Sequence, residues 1–231
     1  MSETITAETD GRARGLLPRI VGLAFITGFS GAIMPGPMLA LTIGQSAVRG
    51  WDAFVWIVTG HALLEVVLVL LLIAGLRAVL ARPAVRAAIG LVGGAALLYM
   101  GGDMLWHARG LTLDLSASEA AAFSAPKLMI AGAAVCLANP YFTGWWATIG
   151  MGQLAQLAPS RGSEWLAFYV GHEAADYTWF GFIGLLMVTG RHWLNDGLYQ
   201  GLIMFCAAAL LLLAAWFMVT GVRILAGRAR A

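Results

Sequence analysis

The chain predicts an all-α membrane protein of six transmembrane helices, built as two inverted three-helix repeats with helices 1 and 4 broken at proline. Three observations lead to that fold class. Of the 231 residues, 60% are hydrophobic and only 11% charged, whereas a soluble domain carries about 25% charged residues. Apolar runs of about 20 residues or more, the length that crosses a bilayer, follow one another along the chain. One motif is also written twice, as Gly60-His61-x-x-x-Glu65 and Gly171-His172-x-x-x-Asp176, each time within an apolar stretch.

Six spans are expected near residues 17–43, 52–76, 84–107, 127–157, 165–189 and 198–225. All are helices, because isolated strands leave backbone groups unsatisfied in lipid. Span 1 follows a polar segment, Met1 to Gly15. It is too long for a signal-peptide core and lacks a clean cleavage site, so it is expected to be retained. It contains Pro35-Gly36-Pro37, and spans 2 and 5 carry the duplicated motif. Span 3 holds Gly93, Gly94, Gly101 and Gly102, which permit close helix packing, internal or in a homo-oligomer. The polar, Ser/Ala-rich connector Ala108 to Pro126 divides the chain into an N-terminal repeat (1–107), a loop (108–126) and a C-terminal repeat (127–231). Span 4 contains Asn139-Pro140.

The halves correspond. Met34-Pro35-Gly36-Pro37 and Leu41-Thr42-Ile43-Gly44 in span 1 match Ala138-Asn139-Pro140 and Ala147-Thr148-Ile149-Gly150 in span 4, at an offset of 105 to 106. The two Gly-His motifs lie 111 apart, as do Gly90-Leu91 and Gly201-Leu202. Three spans per half would insert the second half upside down, a pattern typical of secondary transporters. Of the fourteen Lys and Arg residues, ten fall on the side of the termini and the 2–3 and 4–5 loops, and four on the other. Both termini are therefore expected to be cytoplasmic. Lys127 is the single lysine and the arginines lie between apolar runs, which argues against nucleic-acid binding. Cys136 and Cys206 sit in apolar segments and read as small buried hydrophobes.

Each proline removes a helical hydrogen bond and pushes the preceding residue from helical angles. Pro35 and Pro37 should break span 1, with Gly36 free to take unusual angles. Asn139-Pro140 should break span 4, with Asn139 capping the half-helix that follows. Freed amides after Pro37 and Pro140 could then hold a carboxylate. His61 and Glu65 share a helix face, as do His172 and Asp176. Ionisable groups at bilayer depth usually mark function. The expected order across the membrane is His61, then Glu65 with Asp176, then His172. These four suit a proton-coupled gate, a substrate site or a divalent metal, for which His and carboxylate are ordinary ligands. Glu173 has Ala62 as its counterpart and is expected to be idle or specific to one half. His172-Glu173-x-x-Asp176 resembles a zincin motif with its last ligand changed, and lacks a third ligand. Tyr141, Phe142, Trp145 and Trp146 would wall a cavity or anchor at the interface. Gln45 and Gln153 are candidate polar linings, and Asp103 and His107 are expected to be solvated. No cofactor motif is present.

The Pro-Gly-Pro break, the Asn-Pro break with aromatics after it, the length and the six spans resemble the lysine exporter (LysE/RhtB-type) family of amino-acid efflux proteins. The resemblance covers essentially the whole chain. It implies a multi-pass protein of the plasma (inner) membrane, not an enzyme, that exports amino acids or related small solutes along a proton or ion gradient. The wider superfamily includes divalent-metal exporters. The two His/carboxylate pairs lie outside the general family pattern, which keeps a metal cargo, and more remotely an intramembrane metalloenzyme, open.

Overall fold

The computed structural model describes residues 2–80, 82–110, 123–190 and 195–228, with side chains from residue 16 onward except 73, 77 and 228. Most of the expected 108–126 connector lies outside these residues. Among the described residues the protein is helical: α1 (Ser2–Ala32), α2 (Pro37–Arg49), α3 (Ala53–Leu71), α4 (Pro83–Gly110), α5 (Ala125–Ala138), α6 (Pro140–Leu157), α7 (Gly162–Thr189) and α8 (Asp196–Arg228). After α3 the chain kinks within Leu72–Leu76, where Gly75 takes a left-handed φ of 104°, and then forms a short helical turn, Arg77–Leu80.

The proline breaks fall where expected. α1 and α2 meet at 83° across Pro35-Gly36-Pro37, and α5 and α6 at 64° across Asn139-Pro140. By length and apolarity α3, α4 and α8 can each cross a bilayer, and each bent pair qualifies as a further span. α7, the fifth expected span, is 28 residues long but carries Glu164, which caps its start, and Glu173 and Asp176, which are buried. The outer surface is apolar, with Ile26, Val92, Ile130 and Leu212 each at least 70% exposed. Such a surface suits lipid and not water.

The helices pair across the two halves of the chain. α1 packs on α7, α3 on α5, and α4 on α8. Exchanging the halves leaves this pairing unchanged: spans 1 and 5 pair as do spans 4 and 2, and span 3 pairs with span 6. The duplicated motif explains the approach. A Cβ at Gly60 would collide with the Met129 carbonyl of α5, and one at Gly171 would stand 2.8 Å from the Val21 Cα of α1. The glycine of each motif is therefore where the neighbouring backbone touches, and the histidine beside it is carried into the bundle. Gly93, Gly94 and Gly101 likewise serve internal contacts, against Pro140, Met218 and Ala207 with Leu210. The core draws on both halves, with Ile57, Val58, Leu128 and Phe180 in one cluster and Ile20, Trp146 and Phe168 in another.

Candidate functional site

The two breaks face each other at the centre. Gly36 is extended (φ −160°, ψ −177°), a conformation open to any residue, so the expected unusual backbone angles are not found. Its position is close-packed instead: a Cβ there would lie 3.5 Å from Asn139 Nδ2. Asn139 caps α6 as expected, with the Tyr141 N–H donating to Asn139 Oδ1 at 3.0 Å. The Phe142 N–H donates to the Asn139 carbonyl at 3.1 Å. The amides after Pro140 are thus already taken, contrary to the expectation that they stand free. At the other break, Pro37 opens α2, so the N–H groups of Met38 and Leu39 have no intrahelical acceptor, and both residues line the central cavity.

Above the breaks the four paired side chains converge. His61 Nε2 stands 3.2 Å from Glu65 Oε1, and His172 Nε2 stands 3.1 Å from Glu65 Oε2. Asp176 Oδ2 lies 3.8 Å from His61 Nε2 and 3.9 Å from His172 Nε2. Each carboxylate therefore reaches both imidazoles, one from each half, and all four side chains are buried. Helical spacing brings each His to the acid of its own helix. Only the packing of α3 on α7 brings the two pairs together. Two hydrogen bonds tie these helices on either side of the histidines: Tyr169 donates to the Ala62 carbonyl at 2.9 Å, and the Thr59 and Tyr177 hydroxyls meet at 2.8 Å.

Three residues that sequence reasoning missed or set aside complete the cluster. Trp146, wholly buried, donates its Nε1–H to Glu65 Oε1 at 2.8 Å. Its ring lies 5.0 Å from that of His172. Glu173, expected to be idle or specific to one half, is buried, and its carboxyl adjoins Glu65 and Tyr169 while neither oxygen makes a hydrogen bond. Gly28 of α1 makes room for the ring, since a Cβ there would lie 2.8 Å from His172 Nδ1. A small residue against a buried histidine leaves no local pattern to read. Trp146 sat in a cluster whose lipid and cavity roles local sequence does not separate.

A cavity of about 70 Å³ joins the cluster to both breaks, touching Pro35, Gly36, Asn139, His61, Glu65, His172 and Asp176. It has room for a few water molecules. Pro37 and Pro140 are buried at the helix starts beside it. Tyr141, Phe142, Trp145 and Trp146 all line it, which resolves their role toward the cavity. Gln45 and Gln153 do not: Gln45 accepts from the Phe123 N–H at 2.9 Å, and Gln153 donates to the Leu23 carbonyl at 2.8 Å. Gln45 ties α2 to the segment before α5 and Gln153 ties α6 to α1, and neither lines the cavity. Cys136 and Cys206 are free and buried, and Asp103 and His107 pair on the exposed surface at 3.2 Å.

The cluster is suited to holding positive charge. Even with both imidazoles protonated, ionised Glu65, Glu173 and Asp176 would leave one negative charge uncompensated in a buried site, and such a charge requires a proton or another cation. The spacing also resembles a metal centre. One ligand atom each from His61, Glu65 and Asp176 lie within 4.8 Å of one another, where tetrahedral bonds of zinc type set ligands about 3.4 Å apart. Comparison with known proteins gives one finding: the family model described as LysE type translocator matches residues 29–221, which includes both breaks and the whole cluster. No curated protein and no solved structure gives a significant match.

Proposed function

The chain belongs to the LysE type translocator family, whose members move small solutes across membranes, and on that footing we propose that it is a proton-coupled secondary exporter of amino acids or related small solutes. We place it in the plasma membrane with both termini cytoplasmic. Its six spans form two inverted repeats, 1–107 and 127–231, joined by 108–126. The observation that carries the reading is the buried group of three carboxylates and two imidazoles set against two facing helix breaks.

The substrate carboxylate lies against the first turn of α2, at the N–H groups of Met38 and Leu39, where the helix dipole favours negative charge. Pro35, Gly36 and Pro37 create that turn, and Asn139 with Pro140 forms the opposite wall. Glu65 and Asp176 take the substrate ammonium or the coupling proton. His61 and His172, each within reach of both carboxylates, pass the proton between them. Rocking of one repeat against the other, hinged at the breaks, alternates access. Glu65→Gln with Asp176→Asn tests this in proteoliposomes loaded with labelled amino acids under an imposed pH gradient. Gradient-driven efflux is expected to fall to background, and undiminished efflux would remove both residues from the coupling.

A second reading, export of a divalent cation as cargo, is favoured by the donor spacing around Glu65. It predicts about one metal ion per purified chain by mass spectrometry, lost in His61→Ala/His172→Ala. Metal at background in the wild type would exclude it.

A further inference from the structure

A second, larger cavity of about 290 Å³ lies between α4, α6 and α8. Trp216 and Phe217 of α8 give it an apolar wall, and Arg86, near the start of α4, is the one charged residue among its described lining residues. Tyr141 and Trp145, one helical turn apart, line both this cavity and the central one. The Trp145 ring lies 5.1 Å from that of His172, so these two aromatic residues stand between the side cavity and the buried cluster. The central cavity, at about 70 Å³, has room for a few water molecules. The side cavity has the volume for a small organic solute.

We propose that the side cavity is a holding site for the transported solute, a small carboxylate with an apolar body. Arg86 receives the carboxylate, the body lies on Trp216 and Phe217, and Tyr141 with Trp145 forms the partition that moves to admit it to the central site. The inference rests on the export reading above and extends it. A guanidinium matches a carboxylate in charge and geometry, and apolar walls weaken the screening of that attraction. Arg86 lies beside the 2–3 loop, at the end of the bundle where an exporter would load. The wall of Tyr141 and Trp145 shared with the central cavity favours the solute over a lipid as occupant.

Thr143, another lining residue, supplies the probe position. Thr143→Cys would be made in a full-length chain with Cys136→Ala and Cys206→Ala and reconstituted in phosphatidylcholine liposomes. Methanethiosulfonate ethylsulfonate, an anion, should label it at least about threefold faster than the cationic ethyltrimethylammonium analogue. Arg86→Ala should abolish that preference. L-leucine should slow labelling, and leucinamide, which lacks the carboxylate, should not. Equal rates for the two reagents with Arg86 in place would overturn the proposal. So would equal protection by leucinamide, absence of labelling in a chain that keeps its helical circular dichroism, or protection by added phosphatidylglycerol and not by leucine. Labelling requires no gradient. Failed labelling with intact efflux therefore rejects the holding site alone, whereas intact labelling without efflux rejects the export reading.

Discussion

Gly171→Ala places a methyl group where the structure has a backbone. The new Cβ would stand 2.8 Å from the Val21 Cα and 3.0 Å from the Ala24 Cβ, atoms that no side-chain rotation can move. Ordinary contact begins near 3.4 Å and the nearest atom, the Val21 carbonyl oxygen, would lie at 2.5 Å, so α1 and α7 must part locally by about 0.9 Å. Overpacking of this kind costs about 1–3 kcal/mol. At about 2–4 °C per kcal/mol for a chain of this size, the unfolding midpoint should drop by on the order of 5 °C. The same displacement carries His172, the next residue, away from Glu65 Oε2, now 3.1 Å away, so efflux should fall with stability. Gly22→Ala, on the partner helix, is the matched control. Nothing lies within 4 Å of its Cβ position, and alanine is the better helix former by about 1 kcal/mol. Thermal unfolding in detergent followed by circular dichroism, with efflux in proteoliposomes, reads both variants. An unchanged midpoint and rate for Gly171→Ala, or equal losses in the two variants, would refute the argument that the motif glycine exists for this crossing.

Trp146→Phe keeps an aromatic ring beside His172 but removes the 2.8 Å donor to Glu65. A hydrogen bond to a carboxylate is worth about 1.5–3 kcal/mol. A matching loss in chemical unfolding, with slower efflux, is expected; wild-type values would show that the indole N–H is idle. Asn139→Ala removes the cap on the Tyr141 N–H and should cost about 1 kcal/mol, whereas Asn139→Asp retains an acceptor and should cost less. Equal losses in both variants, measured by the same unfolding assay, would assign the effect to something other than capping.

The legible part of this protein was local. Pro35, Pro37 and Pro140 break helices through their own missing N–H groups and rings, so both break positions follow from sequence and were found. His61 with Glu65, and His172 with Asp176, share faces because they are four residues apart on helices, whatever surrounds them. The apolar runs that identify a membrane protein are equally a property of the chain alone. Where local reasoning reached further, it erred in instructive ways. Gly36 appeared to be conserving backbone freedom, yet it sits extended against Asn139. The amides after Pro140 appeared free, yet Asn139 consumes them with its own side chain and carbonyl.

Convergence of the two His/acid pairs into one cluster depends on α3 meeting α7, a meeting tied by hydrogen bonds between residues more than 100 apart in the chain, Tyr169 with Ala62 and Thr59 with Tyr177, while Gly60 and Gly171 seat the same two helices on α5 and α1. Trp146 reaches Glu65 from a sequence distance of 81 residues, and Glu173 enters the cluster through the same packing. Spacing along a helix is dictated by covalent geometry and can be counted from the sequence. Which helices touch, and at what depth, is dictated by how all the apolar faces bury together, and that exists only once the chain has folded.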